Sequence, residues 1–312
     1  MPKARRIWKV TGWMLVLLAA LVVVFFLVVV PWFFTTIVTT NRFHFPDPND
    51  GKTPASFGMP YQEIAFRSSD DIDLKGWYIP AATSSGATEG TIIYCHGQNR
   101  TRIEMLPMAQ FAHSLGYNGL TLDLRHQGAS GGRMSTLGYW ERLDVEAAIR
   151  YALGEEHATR PIVVWGVSLG AAAALMAAAE TPNVAAVISD STFLTFEDTV
   201  RHHWKLFIGG PSFPITDEVI AWVGWRGHFR PSDFDLRQAV ERINPRPLLF
   251  VAVQGDRRMP PSIAQTLDAL ATSPAKMLLV VPGTRHGEGF NSGRAQYEQA
   301  VREFLGKVEA SE

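Results

Sequence analysis

Gly166-Val167-Ser168-Leu169-Gly170 decides how this chain is read. Before it runs Pro161-Ile162-Val163-Val164-Trp165, a β-branched and aromatic stretch with the character of a buried strand. After it runs Ala171-Ala172-Ala173-Ala174-Leu175-Met176-Ala177-Ala178-Ala179-Glu180, a strong helix former. Ser168 therefore sits on a strand-to-helix corner. A turn that sharp strains the serine backbone, and side chains two residues to either side would clash, which accounts for Gly166 and Gly170. The hydroxyl is pushed out at the top of a sheet, over a helix N-terminus. This is a nucleophile elbow if the rest of the chain supplies a base and an acid.

The surrounding pattern alternates. Strands are expected at 61–66, 72–79, 91–95, 118–124, 184–189, 247–253 and 276–281, besides the elbow strand. Helices are expected at 137–153, 261–271 and 295–308, and after Thr101 as cap, with Met105, Met108, Ala112 and Leu115 on one face and Gly116 closing it. On the helix at 137–153, Trp140, Leu143, Ala147 and Tyr151 form the apolar stripe. Strands alternating with helices predict an α/β fold, a mostly parallel sheet covered on both faces. Residues 191–244 break the rhythm. They hold no clear strand and many aromatics, Phe193, Phe196, Trp204, Phe207, Phe213, Trp222, Trp225, Phe229 and Phe234 among them. This insertion is expected to cap the site, its rings forming both a small core and an apolar pocket.

In such a sheet the reacting groups come from loops at the carboxyl ends of strands. A serine hydroxyl needs a general base there, and the base needs a third group to fix its tautomer. His286, between Gly283 and Gly287 just past the last strand, fits. His113 and His157 fall within or beside helices, and His44 lies next to the apolar N-terminal segment. His202, His203 and His228 are in the insertion, and His96 precedes the serine by one strand-helix layer. For the acid, Asp256 follows the strand at 247–253 and Asp190 ends the strand before the insertion. Asp256 is favoured and Asp190 is its rival. Asp123 precedes the elbow and is read as structural.

The order Ser168, Asp256, His286 resembles the α/β-hydrolase superfamily over about residues 60–308. His96-Gly97 resembles that family's His-Gly turn after the third strand. The resemblance implies that the backbone N–H groups of Gln98 and Leu169 form an oxyanion hole. Residues 123–131, from Asp123-Leu124-Arg125 to Gly128-Ala129-Ser130-Gly131, resemble its Asp-x-Arg-x-x-Gly-x-Ser-x-Gly loop, which shapes the site. Asp256-Arg257-Arg258-Met259-Pro260 resembles its Asp-x-x-Val-Pro acid loop, although Val253 stands where a glycine is usual. Within the superfamily the chain looks like the serine aminopeptidase-like and monoacylglycerol lipase-like group. That group contains lipases, esterases, thioesterases and peptidases, and the resemblance does not choose among them; the apolar N-terminal segment and the aromatic insertion point to an ester-like acyl substrate, a carboxylester, lipid or thioester. Aminopeptidase, amidase or acyltransferase chemistry with the same triad, and a non-catalytic binding protein of the same fold, are the competing readings.

The N-terminus adds a second feature. Lys3, Arg5, Arg6 and Lys9 precede a stretch without charge from Val10 to Asn41. Its most apolar part, 13–34, is 22 residues, and a spanning helix needs about 20. Trp13 and Trp32-Phe33 lie near its ends, where aromatic rings favour the interface. The run exceeds the apolar core of a signal peptide, and no A-x-A-like site follows it. The expectation is a single anchor within 1–41, contacting the membrane through residues 10–34, its basic end cytoplasmic and the rest on the outer side. Residues 42–60 then form a stalk, 61–308 the hydrolase domain with its cap insertion at 191–244, and 309–312 a tail.

Composition limits the partners. Lys+Arg (29) balances Asp+Glu (30), so no charge field favours nucleic acid. The lone Cys95 lies in an apolar strand-like run and reads as a buried, inert thiol. No zinc spacing occurs, the adjacent His202-His203 pair diverges, and no metal or cofactor is expected. The expected partner is a small, hydrophobic acyl substrate.

Overall fold

The computed structural model describes residues 2–40, 45–82, 88–154 and 158–310. Residues 41–44 with His44, loop residues 83–87, His157, residues 311–312 of the tail and the side chains of Lys3, Arg5 and Arg6 lie outside the described residues.

The N-terminal helix runs further than its apolar composition suggests. Helix α1 (Pro2–Val24) passes through a wide π-turn (Phe25–Val29) into α2 (Val30–Thr39). The wide turn lies just before Pro31, which has no N–H to give and whose ring crowds the preceding turn. Residues 7–39 form a helix of 33 residues, long and apolar enough to cross a membrane. The segment read as a stalk is pinned to the body instead. Phe45 N–H donates to Asn99 O, and Arg100 donates to the carbonyls of Phe45 and Pro46. Thr53 and Ser56 then form a capping box on the short helix Pro54–Phe57.

Among the described residues eight strands follow: β1 (Gln62–Arg67), β2 (Asp73–Ile79), β3 (Gly90–Cys95), β4 (Tyr117–Asp123), β5 (Ile162–Val167), β6 (Ala186–Asp190), β7 (Leu248–Val253) and β8 (Met277–Val281). Their order is β1-β2-β4-β3-β5-β6-β7-β8. Among these strands β2 is the reversed one, pairing antiparallel with β1 and β4, and the other pairings are parallel. The remaining helices are α3 (Leu106–Ser114), α4 (Glu141–Gly154), α5 (Leu169–Glu180), α6 (Phe196–Phe207), α7 (Ile215–Gly227), α8 (Leu236–Ile243), α9 (Pro261–Leu270), α10 (Gly289–Ser292) and α11 (Arg294–Glu309).

Central strands are buried throughout because both faces are covered. Their side chains alternate between two cores, as the two-residue period of a strand requires. Ile93, Cys95, Ile162 and Val164 pack with α4, α5 and α8 on one side. Ile92, Tyr94, Val163 and Trp165 pack with α3 and α11 on the other. Cys95 is buried, and burial raises its thiol well above the ordinary value.

Several local expectations give way to specific contacts. Helix α4 starts at Glu141, not 137. Leu137 and Gly138 have positive φ (59° and 120°), and the Glu141 carboxylate accepts from Ser135, Thr136 and Gly138 in that turn. Its buried face carries Asp144, Val145, Ala148 and Ile149, while Trp140, Leu143 and Tyr151 are half-buried. Asp144 is buried there because Arg125 pairs with it at 2.7 Å. Thr101 is the N-cap of a short 3-10 turn (Arg102–Met105) that leads into α3, and it does not cap through its side chain. Asp123 Oδ1 takes the Arg102 N–H instead. The aromatic insertion resolves into α6 and α7, whereas α8 turns Leu236, Ala239, Val240 and Ile243 into the sheet core.

The sheet order also places the site. From β3 the chain steps to β4 on one side, then returns to β5 on the other side of β3. The carboxyl ends of β3 and β5 therefore diverge into a crevice, the usual ligand position in an open α/β sheet. Gln98 and Ser168 follow those two ends.

Candidate active site

Ser168 links β5 to α5 with φ 54° and ψ −114°. A non-glycine residue held there costs on the order of 1–3 kcal/mol. The elbow is held by Ser168 N–H donating to Asp190 O at 2.8 Å. The glycines serve close approach. A Cβ at Gly166 would stand 2.3 Å from Gly170 O, and one at Gly170 2.1 Å from Cys95 O. Both obstacles are backbone, so they cannot rotate away. Gly170→Ala is expected to cost about 3 kcal/mol of stability, read as a Tm lowered by several degrees with Ser168 displaced.

The structure brings Asp256 and His286 to this serine. His286 Nε2 is 2.7 Å from Ser168 Oγ, and His286 Nδ1 is 2.7 Å from Asp256 Oδ2. Asp256 Oδ1 accepts the N–H groups of Arg258 and Met259. Burial alone would raise the Asp256 carboxyl, yet the hydrogen bonds from His286, Met259 and Arg258 hold it below the ordinary carboxylate range. An ionised carboxylate only accepts, so Nδ1 carries the proton and Nε2 is left to accept the serine O–H. The His286 loop is fixed by Glu288, whose carboxylate accepts the N–H groups of Thr284 and Arg285.

Asp190, the rival acid, is elsewhere. Its carboxylate accepts from Ser191 Oγ at 2.7 Å and Tyr297 OH at 3.0 Å. Burial pushes it up to about 6. It supports the elbow through its backbone and does not reach His286.

Gln98 and Leu169 both line the cavity that opens beside Ser168. Among the described residues, neither backbone N–H donates to a protein acceptor. His96 is buried, and burial lowers its pKa. Its Nε2 accepts the Leu124 N–H at 3.0 Å, so Nδ1 carries the proton and donates to Gly97 O at 2.8 Å. This neutral ring shapes the β3 turn. Asp123 accepts from Arg102 and Ala129 N–H, and Ser130 Oγ donates to its carbonyl, so the 123–131 loop braces that turn.

Sequence reasoning missed Glu104. Its Oε2 accepts the Gly97 N–H at 2.7 Å, one residue from Gln98. Burial pushes its carboxyl up to about 7, against the opposing pull of the Gly97 N–H and Arg100. An acid with a raised folded-state pKa binds more protons folded than unfolded, so stability falls as pH rises from 4.5 to about 7. Glu104→Gln should remove that component, at most about 3 kcal/mol. Comparing wild-type and variant urea midpoints across this window checks it, and parallel curves would contradict it.

Two lobes meet at the serine. One, of about 220 Å³, is apolar and walled by Phe34, Val38, Phe193, Trp204, Val219 and Met259, among others. The other, of about 400 Å³, is more polar and includes Asn99, Arg100, Glu104 and His286. Arg258 lines both. His203, beside the apolar lobe, is pushed down to about 3 by burial and by Arg258, and stacks on Phe207. His202 instead faces Arg257 O. Among the described residues no group of three or more His, Cys, Asp or Glu side chains could hold a metal ion.

Known proteins of similar sequence or fold agree with this architecture. The family model for serine aminopeptidase, S33, matches residues 86–217. The uncharacterized protein YqkD of Bacillus subtilis is 26% identical over 246 residues, 78% of this chain and 79% of that protein. Protein bem46 of Schizosaccharomyces pombe is 25% identical over 81% of this chain and 79% of its own length. The esterase Pf2001 of Pyrococcus furiosus superposes with a TM-score of 0.69 at 23% identity, covering 84% of this chain and 96% of that one. With its sheet order, its elbow at the β5 turn and these likenesses, the chain has the α/β-hydrolase fold.

Proposed function

We propose that this chain is a membrane-anchored serine hydrolase that cleaves an ester-like acyl bond through Ser168, His286 and Asp256. The observation that carries this reading is the unbroken hydrogen-bond relay from Asp256 through His286 to Ser168, ending on an apolar cavity. Ser168 Oγ attacks the acyl carbonyl as His286 Nε2 takes its proton. The N–H groups of Gln98 and Leu169 receive the oxyanion, a contribution worth on the order of a hundredfold or more in rate per donor. The C–O bond to the alcohol breaks, and the alcohol leaves with the proton from His286. Water, deprotonated by the same nitrogen, then attacks the acyl-enzyme and releases the acid.

Among the described residues, no carboxylate lines the apolar lobe. A charged amino terminus would have no partner there, which favours an uncharged acyl chain over a peptide N-terminus. The N-terminal helix supports anchoring. Phe34 and Val38 wall the cavity, so cleavage after residue 34 would remove part of the site. The basic residues before the helix favour a cytoplasmic N-terminus and an outer position for the hydrolase domain.

The test is pre-steady-state. Mixing the full chain with p-nitrophenyl butyrate should release a burst of p-nitrophenol near one equivalent, followed by turnover, and an aminoacyl p-nitroanilide should react far more slowly. Absence of turnover on both substrates, or faster turnover of the anilide, would overturn the proposal.

A further inference from the structure

The helix that contains the apolar span does not stop at the edge of the hydrolase body. It continues into it. Pro31, Thr35 and Thr39 are buried at four-residue spacing, one docked helix face. Phe34 packs edge-on against Trp204 of α6, with ring centroids 5.3 Å apart. At the helix end, where carbonyls lack intrahelical donors, the body supplies them. Val38 O accepts the Gln98 side-chain amide at 2.9 Å, and Thr39 O accepts the Ser135 N–H at 2.9 Å. Gln98 is the residue whose backbone N–H is proposed above as an oxyanion donor, and it lines the cavity with Ser168. The same helical segment therefore bonds the oxyanion turn and lines the cavity beside Ser168, through Phe34, Ile37 and Val38.

The depth of this contact follows from helix geometry. At 1.5 Å per residue, the stretch from Trp13 to Trp32 spans about 30 Å, the thickness of a hydrocarbon core. Val38 lies only about 9 Å beyond Trp32 on the same scale. The cavity mouth thus falls in the headgroup layer. Its lining includes Ile37, Phe207 and Ile208, which are exposed (40%, 65% and 50%) and apolar. Such a lip costs free energy in water and fits an acyl-chain environment. The cavity is smaller than the roughly 300–1,000 Å³ of an ordinary ligand pocket, and suits one chain rather than a whole lipid. The polar lobe across Ser168 remains for the alcohol portion.

We propose that the last two turns of the N-terminal helix form one wall of the acyl pocket, and that a single-chain acyl ester dissolved in the bilayer enters the site directly from the membrane. This deepens the hydrolase reading and rests on it. The helix is then a specificity element as well as an anchor, and Phe34 and Val38 set acyl length.

The test uses the full chain in phosphatidylcholine vesicles with p-nitrophenyl acetate, octanoate and decanoate. Val38→Trp fills the pocket, and the octanoate-to-acetate ratio of kcat/KM should fall at least about tenfold, the scale set by losing room for methylenes. Phe34→Ala opens it and should move the preferred chain length upward, which keeps the test valid if the tryptophan variant does not fold. The wild-type rate on decanoate should follow its mole fraction in the bilayer at constant total concentration. Unchanged chain-length ratios in both variants, with Ser168-dependent turnover intact, would overturn the wall assignment and leave the hydrolase standing. A decanoate rate that ignores mole fraction would overturn entry from the membrane. Wild-type turnover that persists in Ser168→Ala would overturn both readings together.

Discussion

Ser168→Ala is expected to lower kcat on p-nitrophenyl butyrate by about 10⁶-fold, the scale of losing a triad nucleophile. The fold itself should persist. Among the described residues the Ser168 side chain bonds only His286, whereas the elbow is held by Ser168 N–H donating to Asp190 O and by the Gly166–Gly170 contact, neither of which needs the hydroxyl. Alanine accepts the positive φ about as poorly as serine, so the strain at the corner is nearly unchanged. A residual rate of some 10³–10⁴ over water should survive from the oxyanion donors and binding alone. A variant with unaltered Tm and wild-type kcat would show that the hydrolysis proceeds elsewhere.

Asp256→Asn is expected to lower kcat by about 10⁴-fold, with a small effect on Tm. The asparagine is nearly isosteric, and its carbonyl can still accept from the Arg258 and Met259 N–H groups. Its amide donor, turned to His286 Nδ1, would force the proton onto Nε2 and remove the base that faces Ser168. Asp190→Asn separates the two acids. Asp190 bonds Ser191 and Tyr297 and lies outside the relay, so its replacement should cost tenfold or less in kcat and act mainly on stability. Equal losses from the two variants would return the acid to an open question.

How much of this was legible in the sequence depended on whether local pattern and tertiary need coincided. The elbow was legible because glycine at two fixed offsets and an alanine run have one economical explanation. His286 and Asp256 were legible because loops after strands carry the chemistry of a parallel sheet, and chain order then restricted the choice. Asp256 was favoured over Asp190 from the sequence, yet both lie at the carboxyl end of a strand. Only the 2.7 Å contact to His286 distinguishes them. The α4 start was misplaced because Leu137 looks helical, while Glu141 gathers four bonds from the turn before it. Thr35 and Thr39 lie past the most apolar part of the N-terminal segment, yet they are buried against the body, a contact that the composition of the segment does not announce. Glu104 carried no signal either. A carboxylate seven residues after Gly97 belongs to no local motif, and only the fold brings it to the Gly97 N–H.

The central claim is that Ser168 is an activated nucleophile, and covalent labelling tests it most directly. Treatment of the full chain with a fluorophosphonate probe, followed by peptide mass mapping, should place a single phosphonyl adduct on Ser168. The adduct should be absent in Ser168→Ala and slowed by orders of magnitude in His286→Ala. A folded wild-type protein that takes no adduct, or carries it on another serine, would contradict the account.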